Sequence, residues 1–95
     1  MRIVGEVPHP SYKISILQNM GRFTLKIEAD AIEQSYKLRE SDKIQNASDV
    51  MALVTPAFLK KVDRVFLDLG DNLMHLLDLS TEDDDDDVPM VEGIL

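Results

Sequence analysis

From Pro56 to about Leu79, apolar residues return at spacings of three and four: Leu59, Val62, Phe66, Leu69, Leu73, Leu76 and Leu77. Lys60, Lys61, Asp63, Arg64, Asp68, Asp71 and Asn72 occupy the other positions. That periodicity predicts an amphipathic α-helix of roughly 24 residues with one apolar stripe. Thr55-Pro56 marks its start, a capping residue followed by proline at the first helical position. Gly70 is its weak point, since glycine costs up to about 1 kcal/mol relative to alanine inside a helix. A stripe this long must be buried against something, and the preceding segment supplies the surface.

Period-2 patterning dominates the chain from Arg2 to Leu38. Arg2–Val7 is a short strand ended by Pro8-His9-Pro10, where two prolines remove ladder donors. Tyr12-Lys13-Ile14-Ser15-Ile16 alternates as a half-buried strand should. Asn19-Met20-Gly21 suits a tight hairpin, and Phe23, Leu25 and Ile27 then alternate with polar residues in the clearest strand of the chain. A second turn is expected at Ala29–Ala31. Ile32, Tyr36 and Leu38 share one face of a fourth strand, with Glu33, Ser35 and Lys37 on the other. Glu40–Asn46 reads as a loop, and Ser48 as the N-cap of a short helix over Asp49–Val54.

The expected fold is therefore α+β: an antiparallel β-meander of three to four strands, covered by a C-terminal long amphipathic helix, with a short helix before it. Phe23, Leu25, Ile27, Leu59, Val62, Phe66, Leu69 and Leu73 form the expected core.

Charge divides the chain at Leu79. Ser80–Leu95 holds seven acids and no base, the acids being Glu82, Asp83, Asp84, Asp85, Asp86, Asp87 and Glu92. Met1–Leu79 holds all ten bases and the other eleven acids, so nearly all of the formal charge of −8 belongs to the segment after Leu79. Adjacent carboxylates repel one another and bury no apolar surface, which predicts a disordered tail. The expected organisation is a small α+β domain over 1–79 and an acidic tail over 80–95 with an apolar end, Val88-Pro89-Met90-Val91-Glu92-Gly93-Ile94-Leu95.

Composition and motif spacing narrow the chemistry. There is no cysteine, so no disulfide, thiol nucleophile or thiolate metal site is available. The glycines stand alone, and no serine occupies a nucleophile elbow. His9 lies between two prolines, and His75 follows Asp71 by one helical turn. Two groups do not make a metal site. The expectation is a chain without enzymatic activity and without a cofactor. Lys60, Lys61 and Arg64 form the sole basic cluster, too small beside an acidic tail to predict direct nucleic-acid binding. No apolar run reaches the roughly 18 residues of a membrane span, and the N-terminus lacks the apolar region of a secretory signal. A cytoplasmic protein is expected, with no membrane insertion.

The remaining role is contact with another protein, as a small accessory subunit or adaptor. The candidate contact residues are Asp83, Asp84, Asp85, Asp86 and Asp87, as an electrostatic lure, and Ile94 and Leu95, as a terminal apolar segment entering a groove. The alternative is an acidic-tailed antagonist or chaperone of a basic or nucleic-acid-binding protein. A homodimer through an exposed sheet face or edge is a further arrangement left open.

Met1-Arg2-Ile3-Val4-Gly5-Glu6-Val7-Pro8-His9-Pro10, Lys13-Ile14-Ser15-Ile16 and Glu33-Gln34-Ser35-Tyr36-Lys37 resemble a group of short, uncharacterised bacterial proteins over roughly residues 1–77. The resemblance implies a compact bacterial-type domain and brings no activity, ligand or site residue with it.

Overall fold

A computed structural model describes residues 1–82 of the chain. Four strands, β1 (Arg2–Val7), β2 (Lys13–Asn19), β3 (Arg22–Ala29) and β4 (Ile32–Arg39), form one antiparallel sheet in the order β1-β2-β3-β4. Two helices follow, α1 (Ala47–Met51) and α2 (Pro56–Glu82). This is the expected α+β meander, with four strands, a short helix and a long one.

Cross-strand register aligns the apolar positions. Ile14 faces Ile27, and Ile16 faces Leu25, which faces Tyr36. One sheet face thus carries Ile14, Ile16, Phe23, Leu25 and Ile27, all buried. The opposite face carries Lys13, Leu17, Thr24, Lys26 and Lys37 and has no helix over it. Both tight turns use left-handed backbone, with φ of 47° at Met20, 78° at Gly21 and 55° at Asp30. Positive φ at both central positions matches the twist of the β2–β3 hairpin.

The helices close the apolar face from two sides. α1 packs on β1, β2 and β3, with Val50 fully buried, while α2 lies along β4 and buries Val62 and Phe66. Gly5 lets α1 approach β1. A Cβ there would stand 2.7 Å from the Met51 methyl carbon and 3.3 Å from the Ala47 Cβ. The register shift between Ile3 and Gly5 leaves Val4 as a bulge, so Val4 and Val7 both reach the core.

Two expectations need correction. The short helix is capped by Asn46 rather than Ser48 and ends at Met51. Asn46 Oδ1 accepts from the Asp49 amide at 3.0 Å, and the Asp49 carboxylate accepts from the Gln45 amide at 2.8 Å. This near-reciprocal pair satisfies two otherwise free amides, and Ser48 already lies inside the helix. Second, the core includes Ile14, Ile16 and Val50, while Leu59 and Leu69 are only partly buried against it. Leu73 falls outside the core, because at that point α2 has reached the β3–β4 turn at the end of the sheet. A polar residue also enters the core face: Gln34 is buried beside Tyr36, opposite Ile27.

At the start of α2, Thr55 Oγ1 accepts from the Phe58 amide at 3.1 Å, the expected cap. The helix then continues to Glu82, 27 residues in all. At 1.5 Å per residue that is about 40 Å, longer than the roughly 27 Å of an eight-residue strand. The molecule is accordingly elongated, 53 Å by 29 Å by 20 Å.

Candidate interaction surface

The mismatch in length between α2 and the sheet creates the surface of interest. Val62 and Phe66 of the apolar stripe are buried on the sheet, and Leu59, Leu69 and Leu73 are half-buried. Beyond Leu73 the same periodicity continues at Leu76, 61% exposed, and Leu77, 50% exposed. Met74 at 60% and Leu79 at 52% flank the stripe on the sides of the helix. Every residue from Met74 to Leu79 is exposed, and Leu67 adds apolar surface to the side of the helix. Exposed apolar side chains scattered singly are ordinary, but a contiguous run along one helix end marks a contact site.

Where the stripe leaves the sheet there is an open groove of about 650 Å³. Ala29, Asp30, Ala31 and Ile32 of the β3–β4 turn line one wall, and Gly70, Leu73 and Met74 the other. A Cβ built on Gly70 would meet nothing within 4 Å. Packing among the described residues therefore does not require the glycine, and its missing side chain leaves the groove open there.

The electrostatics of α2 change along its length. Lys60, Lys61 and Arg64 lie in the first half. After Arg64 come Asp68, Asp71, Asp78, Glu82 and then the aspartate run, and neither lysine nor arginine occurs again before the chain ends at Leu95. The acidic region thus begins within the helix, well before the break visible at Leu79. The exposed apolar stripe is bordered by carboxylates and the single imidazole of His75.

A second cluster ties the β1–β2 loop to α2. His9 Nδ1 accepts from the Ser11 amide at 3.0 Å and the Tyr12 amide at 3.1 Å. The imidazole stacks on Tyr12 at 4.6 Å between ring centroids, and Tyr12 meets Phe66 at 5.0 Å. The Tyr12 hydroxyl donates to the Asp63 carboxylate. That hydrogen bond, then burial, then the carboxylate's charge push the Tyr12 hydroxyl up to about 12. His9 thus serves a turn, with its Nδ1 committed to backbone rather than offered to a ligand.

A third cluster lies at the far end of the open sheet face. Arg22 stands directly opposite Arg39, and Lys37 is opposite Thr24. Among the described residues no acid pairs with these three cations; the ion pairs of that face are Lys26 with Glu28 at 4.0 Å and with Glu33 at 3.8 Å.

Of the residues singled out in the sequence, Asp83, Asp84, Asp85, Asp86, Asp87, Ile94 and Leu95 lie outside the described residues. His75 is exposed one turn after Asp71, and among the described residues no group of three or more His, Asp or Glu is placed to hold a metal ion. No helix among the described residues is long and apolar enough to cross a membrane. The open sheet face, one of the places the sequence leaves for a homodimer, carries mostly charged and polar side chains, with Leu17 opposite Ile3 as its apolar pair. Sequence reasoning does not reveal the groove at Gly70. Its signal is a glycine inside a strongly periodic helix, which reads as a weak point until the open space beside it is known.

The fold defines a class, a four-stranded antiparallel meander with helices on one face. No protein family, curated protein or solved structure matches this chain.

Proposed function

We propose that this chain is a non-enzymatic protein-interaction module, an accessory subunit or adaptor, whose contact surface is the projecting half of α2. The observation that carries the reading is the continuous apolar stripe of α2, buried at Val62 and Phe66 and exposed at Leu76 and Leu77, with exposed Met74 and Leu79 beside it. A helix needs its stripe only as far as the sheet extends. The remainder exposes apolar surface at a cost to solubility, and a partner removes that cost by covering it. The packing of the first half of α2 on β4 anchors the helix, which limits the ordering lost on association.

The test uses three full-length baits in native lysate: the unaltered chain, Met74→Lys/Leu76→Lys, and a form with Asp83–Asp87 changed to Asn. A protein retained by the first and third baits and lost from the second supports the reading. Loss from the third bait with retention by the second would place the contact in the acidic run, making the chain an acidic antagonist of a basic protein.

A further inference from the structure

Resting on that reading, we propose that the projecting half of α2 receives an amphipathic helix of another protein, its apolar face bordered by lysine or arginine. One large apolar side chain of that helix sits in the groove over Gly70. Three observations converge on this occupant.

The first is charge. Asp30 lines the groove, Asp68 and Asp71 lie on the same stretch of α2, and no lysine or arginine follows Arg64. A surface with carboxylates at its border and no lysine or arginine of its own is complemented by a partner that brings them. The same arrangement counts against a second copy of this chain. Any two-fold pairing of the projecting halves sets one acidic border against another. An anionic lipid surface meets the same repulsion.

The second is shape. From Leu69 to Leu77 the stripe runs for about 12 Å, a little over two helical turns. That length suits a partner helix presenting anchors at i, i+3 or i+4, and i+7. Two helices pack by seating ridges of one in the grooves of the other, and small residues permit the closest approach.

The third is Gly70 itself. Glycine is a poor helix former, and a Cβ on this one would meet nothing within 4 Å among the described residues. Ala29, Ala31 and Ile32 across the groove are small or apolar. The result is a shallow, mostly apolar seat with one carboxylate, Asp30, in its lining, the geometry of an anchor pocket.

The experiment titrates the full chain with three synthetic helical peptides at physiological salt. One alternates leucine and lysine with helical periodicity, the second replaces its lysines by glutamate, and the third scrambles the first so that no apolar face remains. The first peptide should bind with a micromolar Kd, and the other two at least about tenfold more weakly. Gly70→Leu should weaken the first peptide by about tenfold or more, while Gly70→Ala should stay within about threefold. A Cβ at position 70 meets nothing within 4 Å, and circular dichroism of both variants checks that the fold is kept. Equal binding of the scrambled peptide would overturn the inference by showing attraction of any polycation. Equal binding of the glutamate peptide would overturn the partner's charge and leave the contact surface standing. Unchanged binding to Gly70→Leu would remove the groove as the seat. If no peptide binds and the chain sediments as a dimer, a second copy is the occupant and the inference fails. If no peptide binds to a monomer, the contact-surface reading fails with it.

Discussion

The Gln34 side-chain amide donates to the main-chain carbonyl of Val62 over 3.1 Å, joining β4 to α2 inside the core. The Gln34 carbonyl oxygen in turn accepts from the Tyr36 hydroxyl. Gln34 is only 6% exposed, so both ends of its amide are partnered within the protein. Apolar packing tolerates small slides of a helix along a sheet, whereas a hydrogen bond to one carbonyl does not. This contact therefore sets where α2 sits, and so how far it projects.

Gln34→Ala should destabilise the fold by about 2 kcal/mol, since it removes buried volume and leaves the Tyr36 hydroxyl without its acceptor. Urea denaturation measures it, and a change below about 0.5 kcal/mol would show that the contact does not hold the helix.

Tyr12 supplies a pH-dependent clasp between the β1–β2 loop and α2. Its hydroxyl is pushed up to about 12 in the folded protein, against about 10 in an unfolded chain. The fold therefore favours the protonated tyrosine. This contribution is full below about pH 10 and is lost as pH rises toward about 12. With Tyr36→Phe as background, tyrosinate absorbance should report Tyr12 alone, because the chain has two tyrosines. Adding Asp63→Asn should move the midpoint down toward the ordinary value. An unmoved midpoint would show that Asp63 does not hold the proton.

Met20 occupies left-handed backbone at φ 47° and is 93% exposed. It makes no buried contact to offset that conformation, which suits Asn far better. Met20→Asn should stabilise the β2–β3 hairpin by about 0.5–1 kcal/mol, read as a melting temperature raised by several degrees. A lowered melting temperature would contradict this account of the turn.

The sheet is legible in the sequence because alternation is local: Phe23, Leu25 and Ile27 declare a buried face without knowledge of anything distant. The helix is legible for the same reason. Burial is a different matter. Phe66 and Leu73 share one periodicity, and which of them is covered depends on where the sheet ends. Likewise Gln34 reads as a polar member of β4, and its burial follows from a carbonyl 28 residues away. Asn46 and Ser48 are both good capping residues, and the Asp49 amide and carboxylate decide between them only in three dimensions. For an interaction surface, charge and composition point to the acidic run and to Ile94-Leu95, whereas the described residues offer one on α2. Its exposure is a matter of tertiary length, which no local pattern carries.

The most direct measurement compares the unfolding free energies of Phe66→Ala and Met74→Lys/Leu76→Lys with that of the unaltered chain. Phe66 is buried in the core, and its truncation should cost about 3–5 kcal/mol. Met74 and Leu76 are exposed on the same helix, and the double lysine protein should lie within about 1 kcal/mol of the unaltered chain. That result would mean the stripe beyond Leu73 is not needed for folding and is available to a partner. A loss above about 2 kcal/mol in the double lysine protein would contradict the account, because the projecting stripe would then belong to the core of this chain.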